Sequence, residues 1–183
     1  MAYGYRVVSV REDLIVPLTG VDPDRMLEFW RWLVPPSHQP LFATALGDLF
    51  LAAPDGRVLW LDVGSGELRP VAATDAEFQR AVTDLENNSF WFGAVLVDKL
   101  RAAGKVLGPG ECYSYWMVPI LGGEYEPANF TIYPVERHFQ VWGPIHEKLR
   151  DVPDGTEVIF EVVNRPEDRS DAESGAAPDA ADE

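Results

Sequence analysis

Cys112, His138, His146 and Asp151 are the residues whose types could together do covalent chemistry. A thiol attacks acyl carbons when an imidazole takes its proton and a carboxylate orients that imidazole. On this reading Cys112 is a nucleophile, His138 or His146 its base and Asp151 the orienter of a small hydrolase. The neighbours of Cys112 point elsewhere. Reactive cysteines sit at helix N-termini or beside cations, which lower the thiol pKa. Cys112 instead lies in a strand-like segment between Glu111 and Tyr113, with Tyr115 and Trp116 close behind. A thiol packed among aromatics is inert. Cys112, His138 and His146 also fail as a metal set. Histidines eight apart on a helix lie two turns from each other, and there is no CxxC, HxxxH or HExxH pattern. Gly64-Ser65-Gly66 and Gly108-Pro109-Gly110 lack the lysine and the free backbone N–H groups of a phosphate loop and read as turns. No Gly-x-Ser-x-Gly elbow is present. The residues therefore assign no catalytic group, no metal and no cofactor.

The elements that must carry these residues follow from turn and cap signals. Residues 5–10 are β-prone. Asp22 caps a helix that opens at Pro23, presents Met26, Leu27, Phe29, Trp30 and Leu33, and ends at Pro35-Pro36. Three strand-like runs follow, at residues 49–51, 58–61 and 67–71. They are separated by Asp55-Gly56 and by Gly64-Ser65-Gly66, which predicts a meander. Thr74-Asp75-Ala76-Glu77 is a capping box for a helix carrying Phe78, Ala81, Val82 and Leu85. Asn87-Asn88-Ser89 is expected to break that helix and cap another over residues 90–103, stopped by Gly104. Residues 112–118 read as a buried strand, Leu121-Gly122-Gly123 as a tight turn and residues 130–133 as a strand. Residues 136–150 read as a helix interrupted at Gly143-Pro144, and residues 156–163 as a last strand after Pro153-Asp154-Gly155. Strands and helices come in runs, which predicts an α+β fold: an antiparallel meander sheet packed against several helices.

The chain has 183 residues, of which 46% are apolar and 25% charged, so one globular domain over residues 1–163 is expected. Residues 164–183 hold seven acids and two arginines with no aromatic, Leu, Ile or Val, and read as a disordered acidic tail. The formal net charge is −15; with the tail's −5 set aside, the body still carries −10. That balance argues against a nucleic-acid binder and against docking to anionic lipid, and favours a basic protein partner. No secretory leader, membrane span or cysteine pair is visible, so a cytoplasmic protein is expected. Six tryptophans must find cover, so Trp30, Trp32, Trp60 and Trp91 are expected in the core. Tyr113, Tyr115, Trp116, Tyr125, Phe130 and Tyr133 are divided between core and a cleft or interface.

The order of these signals resembles the C-terminal domain of the bacterial type VI secretion DNase-immunity family. The resemblance rests on Gly110-Glu111-Cys112-Tyr113-Ser114-Tyr115, on residues 119–125 (PILGGEY), and on Asn129, His138, Gly143, Ile145-His146 and Leu149. Upstream, Gly47-Asp48-Leu49-Phe50-Leu51, Asp55-Gly56-Arg57-Val58, Leu61-Asp62, Gly66 and Glu77-Phe78 fit the same pattern, which spans roughly residues 30–157. The pattern is also similar in style to the immunity-type α+β domains called SUKH-like. A further N-terminal domain of the namesake proteins is expected to be absent or shortened here, since about thirty residues precede the pattern.

The resemblance implies stoichiometric binding of a secreted nuclease toxin in the cytoplasm, and it implies no catalytic residues. The candidate contacts it suggests are Glu111, Tyr113, Tyr115, Gly122, Gly123, Glu124, Tyr125 and Glu126. Among the carboxylates, Glu111, Glu124, Glu126 and Glu136 flank the glycine turn, while Asp48, Asp55 and Asp62 flank the hairpin. Taken singly, each reads as a solvated charge. An accessory or adaptor subunit of a larger assembly, and a Cys112-dependent hydrolase, are the alternative readings.

Overall fold

A computed structural model describes residues 7, 9–153 and 155–158. Backbone contacts divide the chain into two units, Met1–Asp151 and Val152–Glu183. In the second unit, Thr156 donates its hydroxyl (2.6 Å) and its backbone N–H (3.2 Å) to the Pro153 carbonyl. Residues 156–158 are in neither helix nor strand, against expectation, and residues 159–163 of the expected strand lie outside the described residues. So does the acidic stretch 164–183.

All helices and strands described fall in the first unit. Five strands form one antiparallel sheet in chain order: β1 (Ile15–Val16), β2 (Gln39–Thr44), β3 (Leu49–Ala52), β4 (Val58–Asp62) and β5 (Glu67–Ala72). A separate hairpin pairs β6 (Glu111–Tyr115) with β7 (Phe130–Pro134). The helices are α1 (Pro23–Leu27), α2 (Asp75–Ala81), α3 (Leu85–Phe92), α4 (Ala94–Ala102) and α5 (Val135–Leu149). The α+β meander expected from the turn signals is the fold observed.

Its centre is legible in the sequence because β3 and β4 are almost wholly apolar and buried. At their pairing Phe50 lies opposite Trp60. Phe50 also stacks on Phe42 (4.9 Å) and meets Phe78 (4.9 Å) and Phe92 (5.8 Å), so α2 and α3 close this face with aromatic rings. A second cluster surrounds α5, where Trp30 meets Phe139 edge-on and donates its indole N–H to the Phe139 carbonyl at 2.9 Å.

Several elements depart from the sequence reading. Among residues 7, 9 and 10 there is no strand, and Ser9 sits at φ 69°. The short strands β1 and β2 were not anticipated. Pro40 lies inside β2, and the register with β3 shifts between Pro40 and Phe42, so the run carries a breaker and no clean alternation. The helix opened at Pro23 is α-helical only to Leu27 and continues as a 3-10 turn through Trp30. Asn87-Asn88-Ser89 does not break a helix; it lies inside α3. Asp84 caps α3 by accepting from the N–H groups of Glu86 and Asn87, both at 3.0 Å. The Asn87 and Asn88 amides reach back to the carbonyls of Ala81 and Val82 at the end of α2, the first of which also accepts from the Asp84 N–H. The break falls instead at Gly93, whose left-handed φ of 54° ends α3 and starts α4. Finally, α5 runs uninterrupted through Gly143-Pro144.

Candidate functional site

The residues that could form a thiol hydrolase do not meet as one. Cys112 is fully buried in β6. Burial first, then the carboxylates of Asp48 and Glu111, push its thiol pKa up, away from a reactive thiolate. His138, also fully buried, shares a 2.9 Å hydrogen bond between Nδ1 and the Ser114 hydroxyl, which also accepts from the Trp142 indole at 3.2 Å. Burial pushes the His138 pKa down to about 3, opposed by the Gly47 backbone. His146 donates from Nε2 to the Val63 carbonyl at 2.8 Å, and burial lowers its pKa as well. Asp151 accepts from its neighbour Arg150. Each histidine is seated on a hairpin turn: a Cβ at Gly47 would strike the His138 ring, and one at Gly66 the His146 ring. The two imidazoles therefore dock α5 onto the turns that follow β2 and β4. Among the described residues, no three His, Cys, Asp or Glu side chains are arranged to hold a metal ion. No helix among them is long and apolar enough to cross a membrane.

The eight candidate contacts separate into three places. Glu111 and Tyr113 line a cleft of about 350 Å³ together with Asp13, Arg101 and Val106. Its polar groups are satisfied within the chain. Asp13 pairs with Arg11 (2.7 Å) and with Arg101. Glu111 accepts from the Gly108 N–H (2.7 Å), and the Tyr113 hydroxyl donates to the Lys105 carbonyl (2.8 Å).

Gly122, Gly123, Glu124 and Glu126 lie on the connection between β6 and β7. Asn129 ties this loop: its Oδ1 accepts from the Met117 N–H at 3.0 Å, and its Nδ2 donates to the carbonyls of Met117 (2.8 Å) and Glu124 (3.0 Å). Gly123 packs so tightly that a Cβ there would collide with the Met117 carbonyl. Glu126 faces Lys99 at 3.5 Å. The loop also exposes Trp116, Met117 and Ile120, at 65, 48 and 53%.

Tyr115 and Tyr125 belong to the third place, a groove of about 440 Å³ that also takes in Trp60, Phe90, Val95 and the carboxylates of Asp48 and Asp62. Its rim is apolar and open: Phe90 is 63% exposed, Val95 68% and Tyr125 52%. Its floor is acidic. Asp48 is buried, not solvated, and accepts from the Val63 N–H at 2.9 Å. Asp62 accepts from the Ser65 N–H at 3.2 Å. Burial, then the nearby Asp62, holds the Asp48 pKa well above the usual carboxylate range. The same two carboxylates, added to burial, push Tyr125 up to about 12. Among the described residues no cation pairs with Asp48 or Asp62, while Lys99 at the rim turns to Glu126.

Gly64 leaves room where three oxygens converge. A Cβ placed on it would lie 2.7 Å from the Tyr125 hydroxyl and 3.2 Å from both the Tyr115 hydroxyl and Asp62 Oδ1. Trp60, 4% exposed, has no hydrogen-bond partner for its indole N–H, which faces Asp48 without reaching hydrogen-bond geometry. Asp48, Trp60, Asp62 and Phe90 were not assigned to a site from the sequence. Asp48 read as a surface charge although it stands in the otherwise apolar run of residues 45–53, which was the available signal.

Residues 72–146 match the family model described as T6SS immunity protein Tdi1, C-terminal. The match takes in α2, α3, α4, the β6–β7 hairpin and most of α5, with Tyr115, Tyr125 and Phe90 of the groove. The resemblance read from the Cys-Tyr and Gly-Gly elements is thereby borne out, and Asp48, Trp60 and Asp62 lie upstream of the matched residues. No curated protein matches the chain. A similar solved chain is the crystal structure of Atu4351 from Agrobacterium tumefaciens. It is 15% identical, with 70% of this chain and 69% of that one covered at a TM-score of 0.48.

Proposed function

From the match of residues 72–146 to the type VI secretion immunity family, we propose that this protein neutralises a toxin by stoichiometric binding in the cytoplasm. The toxin is a nuclease effector. The family match is the observation that carries this reading. The acidic charge supports it, since a nuclease holds phosphates on a basic surface and a −10 body is steered toward such a surface. The open apolar rim around Phe90, Val95 and Tyr125 supports binding as well, because exposed apolar and aromatic groups over an acidic floor suit a protein interface. Catalysis has no part in this function, and Cys112 acts as a core residue.

Co-expression with candidate nuclease effectors of the host, any encoded next to it included, is the test. The expected result is restored growth and a complex that co-purifies at low salt. Its association should slow several-fold between roughly 50 mM and 500 mM salt as the field is screened. Neither rescue nor complex formation with any of these effectors would overturn the proposal.

A further inference from the structure

We infer that the groove between the Trp60–Phe90 pair and Tyr125 is a receptor for one arginine side chain of the partner protein, with Asp62 and Asp48 as its acceptors. The inference deepens the immunity reading and rests on it for the identity of the partner. Three observations converge.

First, the charge is left open. Ion pairs on the described surface engage Asp13, Asp24, Asp55, Glu67, Asp98, Glu126 and Asp151, yet none engages the two groove carboxylates. Burial and the nearness of Asp62 favour the protonated form of Asp48, and an incoming cation supplies the counter-charge that this pair of carboxyls lacks.

Second, the walls suit a guanidinium more than an ammonium. Phe90 stands edge-on to Trp60 at 5.3 Å, and Tyr125 edge-on to Tyr115 at 6.2 Å. These rings give the flat, aromatic flanks on which a weakly hydrated planar cation stacks while its fork reaches a carboxylate. The oxygens gathered over Gly64, two hydroxyls and Asp62 Oδ1, add acceptors in the same place. Third, the buried indole N–H of Trp60 has no partner at hydrogen-bond geometry and faces Asp48 on the groove wall, so a cation drawn to that carboxyl changes the surroundings of the indole.

The test needs no toxin, which separates it from the neutralisation experiment. Arginine methyl ester is titrated into the full chain while indole N–H resonances are followed by 15N-correlated NMR, with citrulline methyl ester as the uncharged isostere. The expected result is a saturable shift of the Trp60 indole signal with arginine and none with citrulline. Asp62→Asn should weaken the arginine response about tenfold, since a charge-assisted hydrogen bond is lost. Phe90→Ala, at an exposed position that leaves the floor intact, should weaken it several-fold. An equal response to citrulline, or one unchanged in both variants, would overturn the inference. Neutralisation that survives in Asp62→Asn would place the toxin contact elsewhere while leaving the immunity role standing.

Discussion

Acidification from pH 7 to pH 4 is expected to cost the fold on the order of 3 kcal/mol through His138 alone. The sign follows from the direction of the shift. His138 is held neutral in the folded state, with its pKa lowered to about 3, while the unfolded chain binds that proton below about pH 6.5. Its contribution is therefore complete above that pH and is lost progressively as the pH falls toward 3. His146 is shifted the same way and adds to the loss.

Asp48 works against both. Its raised pKa means the folded state holds a proton that the unfolded chain gives up above about pH 4, so acid favours the fold at that position. Guanidinium midpoints at pH 7, 5.5 and 4 separate the contributions. His138→Gln should flatten the acid loss whatever its stability at pH 7, and Asp48→Asn should steepen it. A wild-type stability that is level from pH 7 to pH 4, with the same slope in both variants, would show that these groups do not set the acid response.

Gly143→Ala is expected to destabilise the protein by about 1–3 kcal/mol, as overpacking does. In an exposed helix the same change would stabilise it by about 1 kcal/mol, because alanine is the better helix former. The reversal comes from a close approach. A Cβ at position 143 would lie 2.6 Å from the Phe29 carbonyl oxygen and 2.9 Å from its carbon. Those are backbone atoms of the 3-10 turn Glu28–Trp30, so no side-chain rotation clears them. Denaturant midpoints of the two proteins decide the sign, and a gain in stability would mean that α5 does not press on that turn.

Gly143 also marks where sequence reading stops. Gly-Pro inside a helical pattern is a sound breaker signal, yet α5 continues because its buried face holds it. Val135, His138, Phe139, Trp142 and His146 recur at helical spacing and are all buried. The contact that demands glycine at 143 comes from Phe29, more than a hundred positions earlier, and no local pattern reports it. Asn87 and Asn88 mislead for a different reason: their amides reach six residues back to the end of the preceding helix, a role that residue type alone does not announce. Caps and turns with a standard signature read as expected. Asp22 and Thr74 cap the helices they were expected to cap, and the Asp55-Gly56 turn joins β3 to β4.

The groove divides along the same line. Tyr115 and Tyr125 stood out as aromatics beside a glycine turn. Asp48, Trp60, Asp62 and Phe90 come from two hairpins and a helix and become neighbours only in the folded chain. Asp62 carries no signal of its own, since an acid after an apolar strand is commonplace.

The central claim is that one copy of this protein occupies one copy of a toxin. Calorimetric titration of an inactivated form of the effector found by co-expression into the purified protein tests it most directly. A single 1:1 transition is expected, with affinity reduced at least tenfold when Phe90→Ala and Asp62→Asn are combined. No binding, or inactivation of excess active effector by a substoichiometric amount of this protein, would contradict it.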